Sequence, residues 1–169
     1  MSVVRRTIEA MYTTICRDEV TATGGIDPQD TSYPHAEGFM RLRDRTMEEV
    51  NDSLSIDRKV QILYRGVPEV LAIGNNYNRK IRYRFTAHIR IGWYGGDDHG
   101  ETSIIIGEDI QDIFIALRAM NGSANPTGTT GCIEGVHPHT ADVVQVSNDR
   151  FIAEIPVTVQ VKGIKAETT

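Results

Sequence analysis

The residues that could do chemistry in this chain include two histidines close together in its last third. His137 and His139 flank Pro138. Alternate residues of a strand point to the same side, so the two imidazoles could bind one metal ion together with Cys132 or Glu134. A tetrahedral site needs two ligands beyond the histidines, and the sequence does not place both of them. Polar surface histidines explain the pattern as well, so a metal site is one of two interpretations.

Two further groups of residues also have a chemical interpretation. Asp97, Asp98 and His99 lie between glycines and could hold a divalent ion. The stretch lacks the ligand spacing of a calcium loop, which favours a charged turn. Cys16 lies on or next to the apolar stripe of the first predicted helix, where a small buried thiol is the usual interpretation and a nucleophile the rare one.

Motifs of the common reaction classes are absent from the sequence. It contains no G-x-S-x-G elbow, no phosphate-binding loop ending in G-K-S/T, no G-x-G-x-x-G and no H-E-x-x-H. Their absence removes the reaction classes that a sequence of this size most often announces. These absences do not by themselves exclude an enzyme.

The elements that must position these residues are two long segments of alternating polarity on either side of one amphipathic helix. Residues 81–93 place apolar side chains on one side and a basic set on the other, and residues 151–161 also alternate. Each segment predicts a long antiparallel strand with one buried face. Between them, an apolar stripe over residues 106–120 predicts a helix that ends at Asn121 and Gly122.

Shorter patterns predict the remaining elements. An apolar stripe predicts a first helix over residues 2–17, with Ser2 as its cap, and residues 18–37 have the composition of an exposed loop. The other predictions are strands at 39–43, 59–64, 133–139 and 141–146, a helical stretch at 45–54, loops at 74–78 and 123–131, and a flexible tail at 163–169. The order of elements predicts an α+β fold, a mainly antiparallel sheet with helices packed on one face, in a single domain of residues 1–169.

The overall composition is typical of a globular protein. With 169 residues, of which 40% are hydrophobic and 24% charged, the chain is long enough for one domain with a core and too short for two independent ones. It has no apolar run of membrane-spanning length, and its start, MSVVRRTIEA, lacks the apolar core of a signal peptide. Its 2 cysteines are too few for a disulfide framework.

Charges are segregated along the chain. The net charge of −5 argues against a protein that coats nucleic acid. Residues 79–90 contain arginine and lysine but no acid, whereas residues 97–112 contain acids but no arginine or lysine. A molecule polarised in this way could pair its basic surface with the acidic surface of a second copy, in a head-to-tail contact that closes into a ring. The alternative is two solvated surfaces of one monomer.

The order of elements and four segments resemble the tail terminator proteins of tailed bacteriophages. The segments are DRKVQILY at 57–64, RIGWY at 90–94, GEDIQDIFIAL at 107–117 and RFIAEIPVTVQV at 150–161. The resemblance covers most of the chain from Asp57 onward and the first helix more loosely. It rests on patterns of fold rather than on signatures of chemistry.

This resemblance implies a structural virion protein that is not an enzyme, has no cofactor and forms a homohexameric ring. Such a ring caps the tail tube, stops its elongation and joins the tail to the head connector. The implied partners are further copies of the chain, the tail tube protein, a connector or neck protein, and the tail sheath if the tail is contractile. DNA would pass through the ring without sequence recognition, no membrane is involved, and the protein would be assembled in the host cytoplasm into the tail or neck of the virion.

If the ring exists, the charge pattern predicts its contact residues. Arg82, Arg84 or Arg90 of one subunit is expected to face Asp109 or Asp112 of the next.

Three alternatives remain open. The first is another neck or minor tail joining protein. The second is a small metal-dependent protein that uses His137, His139 and Cys132. The third is a nucleic-acid-binding module on the arginine face of residues 82–90, although Tyr83, Phe85 and Trp93 fall on the opposite side from those arginines.

Overall fold

In a computed structural model of the chain, two 15-residue antiparallel strands form the middle of the sheet. The structure describes residues 2–28, 37–43, 45–73, 80–122 and 132–164. The elements in chain order are α1 (Val3–Ile15), β1 (Met40–Arg41), a 3₁₀ turn (Leu54–Ile56), β2 (Lys59–Tyr64), β3 (Glu69–Ile73), β4 (Lys80–Tyr94), α2 (His99–Ala119), β5 (Cys132–Pro138), β6 (Asp142–Ser147) and β7 (Arg150–Ile164).

Shorter strands extend the central pair on both sides. Strands β4 and β7 pair from Lys80 opposite Ile164 to Tyr94 opposite Arg150. At one end of the sheet, β3 lies beside β4 and β5 lies beside β7. At the other end, β2 lies beside β4 and β6 lies beside β7. Strand β1 runs parallel to β2, while the other described pairs are antiparallel.

One face of the central strands, which we call the inner face, is apolar and buried. Successive residues of a strand point to opposite faces, so an alternating sequence fills one face with apolar side chains. The inner residues are Tyr83, Phe85, Ala87, Ile89, Ile91 and Trp93 of β4 and Ala153, Ile155, Val157, Val159 and Val161 of β7. The opposite, outer face of β4 carries Arg82, Arg84, Thr86, His88 and Arg90. Both predicted long strands are confirmed.

Both helices belong to the core that covers the inner face. Helix α1 contributes Met11 and Ile15, and α2 contributes Ile106, Ile113 and Leu117, to the same buried cluster as the inner residues of β4 and β7. Each such side chain stabilises the fold by about 1.5–3 kcal/mol when it is fully buried. The apolar stripes therefore hold the helices on the sheet, and the predicted α+β fold is confirmed.

Polar side chains fix where each helix begins. The Ser2 hydroxyl accepts a hydrogen bond from the Arg5 amide at 3.3 Å, which confirms Ser2 as the cap of α1. Asp98 does the same for α2, where its carboxylate accepts from the Glu101 amide at 3.0 Å. Asp97, Asp98 and His99 were predicted to form a charged turn, but His99 already belongs to the helix because Asp98 caps it.

The helical stretch predicted for residues 45–54 is not helical. Turns occupy residues 47–49, and the regular element nearby is the short 3₁₀ turn from Leu54. Two side chains bind neighbouring amides here, Glu49 to Thr46 at 2.8 Å and Asp52 to Leu54 at 3.0 Å. Such local bonds compete with helical ones, so the apolar spacing did not produce a helix.

Several predicted boundaries also move. The strand predicted at 39–43 is confined to Met40–Arg41, and β7 continues to Ile164, so the first two residues of the predicted tail are strand. The rest of that tail, the predicted loops at 74–78 and 123–131, and most of the second half of the predicted 18–37 loop lie outside the described residues.

Candidate assembly surfaces

The basic side chains on the outer face of β4 are paired with acids of the same chain. Arg82 lies 3.1 Å from Glu134 on β5. Arg84 lies 3.5 Å from Glu69 on β3. Glu69 is directly opposite Arg84 in the ladder, so strand pairing places these two side by side, whereas Arg82 reaches Glu134 across the intervening strand β7. The strand that is basic in sequence therefore lies on a surface of mixed charge.

Arg90 belongs to a denser group of charges near β6. Its guanidinium lies 2.5 Å from Glu48 and 3.7 Å from Glu154. Glu154 also lies 2.8 Å from Nδ1 of His88. The hydrogen bond from Arg90 is the main cause that lowers the pKa of Glu48 to about 2. These neighbours leave the Arg90 side chain only 14% exposed, so another molecule would meet mostly its acidic partners.

Asp109 is in the core, which corrects its predicted place at a contact between subunits. Its carboxylate accepts two hydrogen bonds from the Arg58 guanidinium, at 2.8 and 3.0 Å, and one from the indole nitrogen of Trp93 at 2.8 Å. The side chains of Arg58 and Asp109 are 1% and 6% exposed. An arginine of a second copy cannot reach a carboxylate that is enclosed and paired in this way.

The backbone around Arg58 is also under constraint. Arg58 has a φ of +47°, in the left-handed region that residues with side chains rarely adopt. The remaining guanidinium nitrogen donates to the carbonyl oxygen of Glu37 at 3.2 Å. The neighbouring Asp57 accepts from the Tyr94 amide at 3.1 Å. Arg58 thus joins the start of β2 to α2 and to the chain at Glu37, while Asp57 and Asp109 bind the end of β4.

Of the two acids in the predicted contact, Asp112 lies nearer the surface than Asp109. It is half-buried on α2, one turn beyond Asp109. Nothing in the structure tests whether Asp112 or the three arginines meet a second copy, so those contacts stay predictions.

The histidines lie on or beside the outer face, apart from any grouped ligands that the structure describes. His137 is exposed on β5, and the imidazole of His139 lies 2.8 Å from the hydroxyl of Thr158 on β7. Among the described side chains, which do not include Cys132, no group of three or more His, Cys, Asp or Glu residues is placed to hold a metal ion. The carboxylate of Asp98, part of the other candidate ion site, caps α2.

Cys16 is a buried thiol at the end of α1. Burial raises its pKa to about 12, so the thiol is protonated at neutral pH. A protonated, enclosed thiol is a poor nucleophile. The interpretation of Cys16 as a small buried residue is confirmed.

Sequence patterns did not reveal that strand β6 exposes apolar side chains. Val143, Val144 and Val146 are 43%, 50% and 49% exposed, although they occur together in a strand. Because they point to both faces, their sequence is typical of a strand covered on both sides. The described part of the chain leaves both faces of β6 open to solvent. In the sequence, the one sign of this exposed strand was the excess of valine near a hairpin turn.

A groove runs along the outer face beside β6. Its volume is about 480 Å³, and its apolar lining is Val144, Val146, Ile152 and Pro156. The charged lining consists of Glu48, Arg90, Asp142 and Glu154. We call this feature the β6 groove.

Comparison adds no family to these observations. The sequence matches no model of a known protein family, and no characterised protein matches it significantly. No helix within the described ranges is long and apolar enough to cross a membrane. Helix α2, at 21 residues, has charged residues throughout, from Glu101 to Arg118.

Proposed function

We propose that this chain is a tail terminator protein of a tailed bacteriophage. In this role it forms a homohexameric ring on the end of the tail tube, stops elongation and joins the tail to the head connector. The proposal includes the tail tube protein, a connector or neck protein and, in a contractile tail, the sheath as partners. It places the protein in the tail or neck of the virion, with DNA passing through the ring and no catalytic step.

Strand β6 is the observation that carries the proposal. Monomeric proteins protect a sheet edge with charges, proline, a bulge or a covering element, because an open edge can pair with another chain. Strand β6 has an acid, Asp142, and a register shift near its end, but its three half-exposed valines are not covered by any described element. A second protein surface that covered them would remove this apolar area from water, which favours a role in assembly.

The placement of charged residues gives further support. The outer arginines are paired within the chain, which leaves less free positive charge for phosphate groups than the sequence suggested. The nucleic-acid alternative therefore has less support than assembly. The thiol of Cys16 and the carboxylate of Asp98 both have structural roles, which removes two of the groups considered for chemistry.

Tube capping tests the proposal directly. The tail tube protein of the same phage is polymerised with and without this chain, and tube length and gold-labelled chain are measured by electron microscopy. We expect shorter tubes with label at one end. In the matched control, the chain is added after polymerisation, which should label ends without changing length.

The opposite outcomes are equally clear. Tubes of unchanged length without label at their ends would contradict the proposal. Binding to the purified connector without binding to tube ends would favour the other candidate from the resemblance, a neck or minor tail joining protein.

A further inference from the structure

Two strand edges at opposite corners of the sheet expose aliphatic side chains. Within the described ranges, β6 pairs with β7 and β3 pairs with β4, and no second strand lies beside either of them. Strand β6 is on the β7 side of the sheet, while β3 is on the β4 side and at the other end. One chain therefore carries two different open edges that face away from each other.

The edge at β3 continues into a turn that projects aliphatic groups. Val67 is 91% exposed, Val70 is 51% exposed and Leu71 is 36% exposed. We call residues 65–71 the β3 corner. Its side chains are of the same kind as the apolar lining of the β6 groove, so contact between the two would bury aliphatic surface from both.

Charge on the two surfaces is opposite in sign. The charged lining of the β6 groove has three acids, Glu48, Asp142 and Glu154, against Arg90, which is mostly enclosed. On and beside the β3 corner, Arg65 and Arg84 are exposed and the one acid among these described neighbours is Glu69. Complementary charge sets which surfaces approach each other and in which orientation.

We propose that the β6 edge and the β6 groove receive the β3 corner of a second copy of this chain. The inference rests on the proposed ring and assigns its contact. Pairing two β6 grooves would oppose two surfaces with an excess of acid, and pairing two β3 corners would oppose two surfaces with an excess of arginine, so both symmetric dimers are disfavoured. The contact between unlike edges is head-to-tail, the type that generates a closed ring or a filament.

The backbone supplies the remaining part of the contact. Added strands bind an open edge through main-chain hydrogen bonds, while side-chain pockets set the specificity. In this contact the β3 strand continues the sheet of its neighbour. The apolar groove lies beside the joined edge, on the outer face.

Cysteine cross-linking between different variants tests the assignment. Val144→Cys and Val70→Cys are made separately in a Cys132→Ser background, and one of them carries a mass tag so that mixed and self-products differ in size. A short bis-maleimide cross-linker is added to each variant alone and to the mixture of the two. We expect the mixed product to dominate in the mixture, with little self-product of either variant. Ile104→Cys, at an exposed position on α2, replaces Val144→Cys as the matched control and sets the background.

Equilibrium measurements give an independent result. Val144→Lys with Val146→Lys should raise the apparent dissociation constant of the oligomer by at least about tenfold, because both side chains would be at the centre of the contact. Ile104→Lys with Ile115→Lys makes the same chemical change at the 64% and 59% exposed positions of α2. This control should change the constant by less than about threefold.

Failure of the inference is distinct from failure of the proposed function. A mixed cross-link at the background level, a dominant Val144→Cys self-product, or a chain that associates neither in solution nor on tube ends would overturn the inference. If tubes are still capped, the ring uses other contacts and the proposed function survives. If the mixed cross-link forms and tubes are not capped, the contact stands and the function is wrong.

Discussion

The substitution Asp109→Asn removes one charge from the centre of the molecule and changes little else. A carboxamide has nearly the volume of a carboxylate, and its oxygen could still accept the hydrogen bond from Trp93. Arg58, which is 1% exposed, would keep its positive charge without a negative partner at 2.8 Å. A charge buried without its partner is strongly destabilising because the protein interior solvates it poorly.

The size of the effect follows from burial and from the bidentate geometry. Removing one partner of a buried ion pair typically lowers the free energy of unfolding by about 3–5 kcal/mol. Domains have total stabilities of about 5–15 kcal/mol, so Asp109→Asn should remove a large part of the stability. At this chain length the loss corresponds to a decrease in Tm of about 6–20 °C.

Urea unfolding followed by tryptophan fluorescence and circular dichroism measures this loss. The chain has 1 tryptophan, Trp93, which is fully buried and bound to Asp109, so its fluorescence reports on this part of the core. Asp112→Asn is the matched control, because it changes a half-buried carboxylate on the same helix. The control should lie within about 0.5 kcal/mol of the unmodified chain.

Two results would refute the reasoning. If Asp109→Asn changes the free energy of unfolding by less than about 1 kcal/mol, the ion pair is not the buried structural contact described above. If the variant instead keeps its stability and loses only its ability to oligomerise, Asp109 is at a contact between subunits, as the sequence suggested.

Three further predictions concern single groups. Arg90→Gln should raise the pKa of Glu48 from about 2 toward its ordinary value of 4.5, measured by NMR titration. The stability that this pair provides is complete above the ordinary pKa of Glu48 and is lost as the pH falls through the lowered pKa. The variant should therefore lose less stability on acidification than the unmodified chain. An unchanged Glu48 pKa would show that Arg90 does not cause the shift. Gly25→Ala should lower the free energy of unfolding by about 1–3 kcal/mol more than Gly24→Ala. Both glycines have a positive φ, but only at Gly25 would the added methyl group overlap backbone atoms, those of Cys16 and Arg17. Equal losses of stability in the two variants would contradict this reason. Because burial raises the pKa of Cys16 to about 12, its thiol should be alkylated at neutral pH only after the chain is unfolded in urea. Mass spectrometry measures the alkylation. A modified Cys16 in the folded chain would show that the thiol is accessible.

The two central strands were predictable because burial on one side leaves a period of two in the sequence. Every second residue of β4 from Tyr83 to Trp93 is buried, and the intervening arginines are on the other face. The helices were predictable for the same reason at a helical period. In each case the neighbours that cover an element act on its own residues, so the pattern is local.

The position of Asp109 was not predictable to the same extent. Asp109 is three residues after Ile106 and four before Ile113, so it lies on the buried stripe of α2. A charge on such a stripe is a signal of a buried partner, and the sequence contains that signal. The partner, Arg58, is 51 residues away in the chain, and the sequence does not contain the geometry that brings the two together.

Strand β6 was hidden by the opposite problem. Its valines predict a strand but do not say whether a neighbour covers it, since that depends on how far the helices extend over the sheet. The ion pairs on the outer face could not be predicted from the sequence either. Glu48 and Glu154 are far from Arg90 in sequence, and only the fold brings them close to it.

The most direct test of the account is the mass of the assembled species, measured in solution over a concentration series and again with assembled tail tubes. The account predicts a particle of six times the 18.8 kDa chain mass, seen as a closed ring by electron microscopy, either in solution or on the tube end. A chain that stays monomeric at every concentration and also fails to bind tube ends would contradict it.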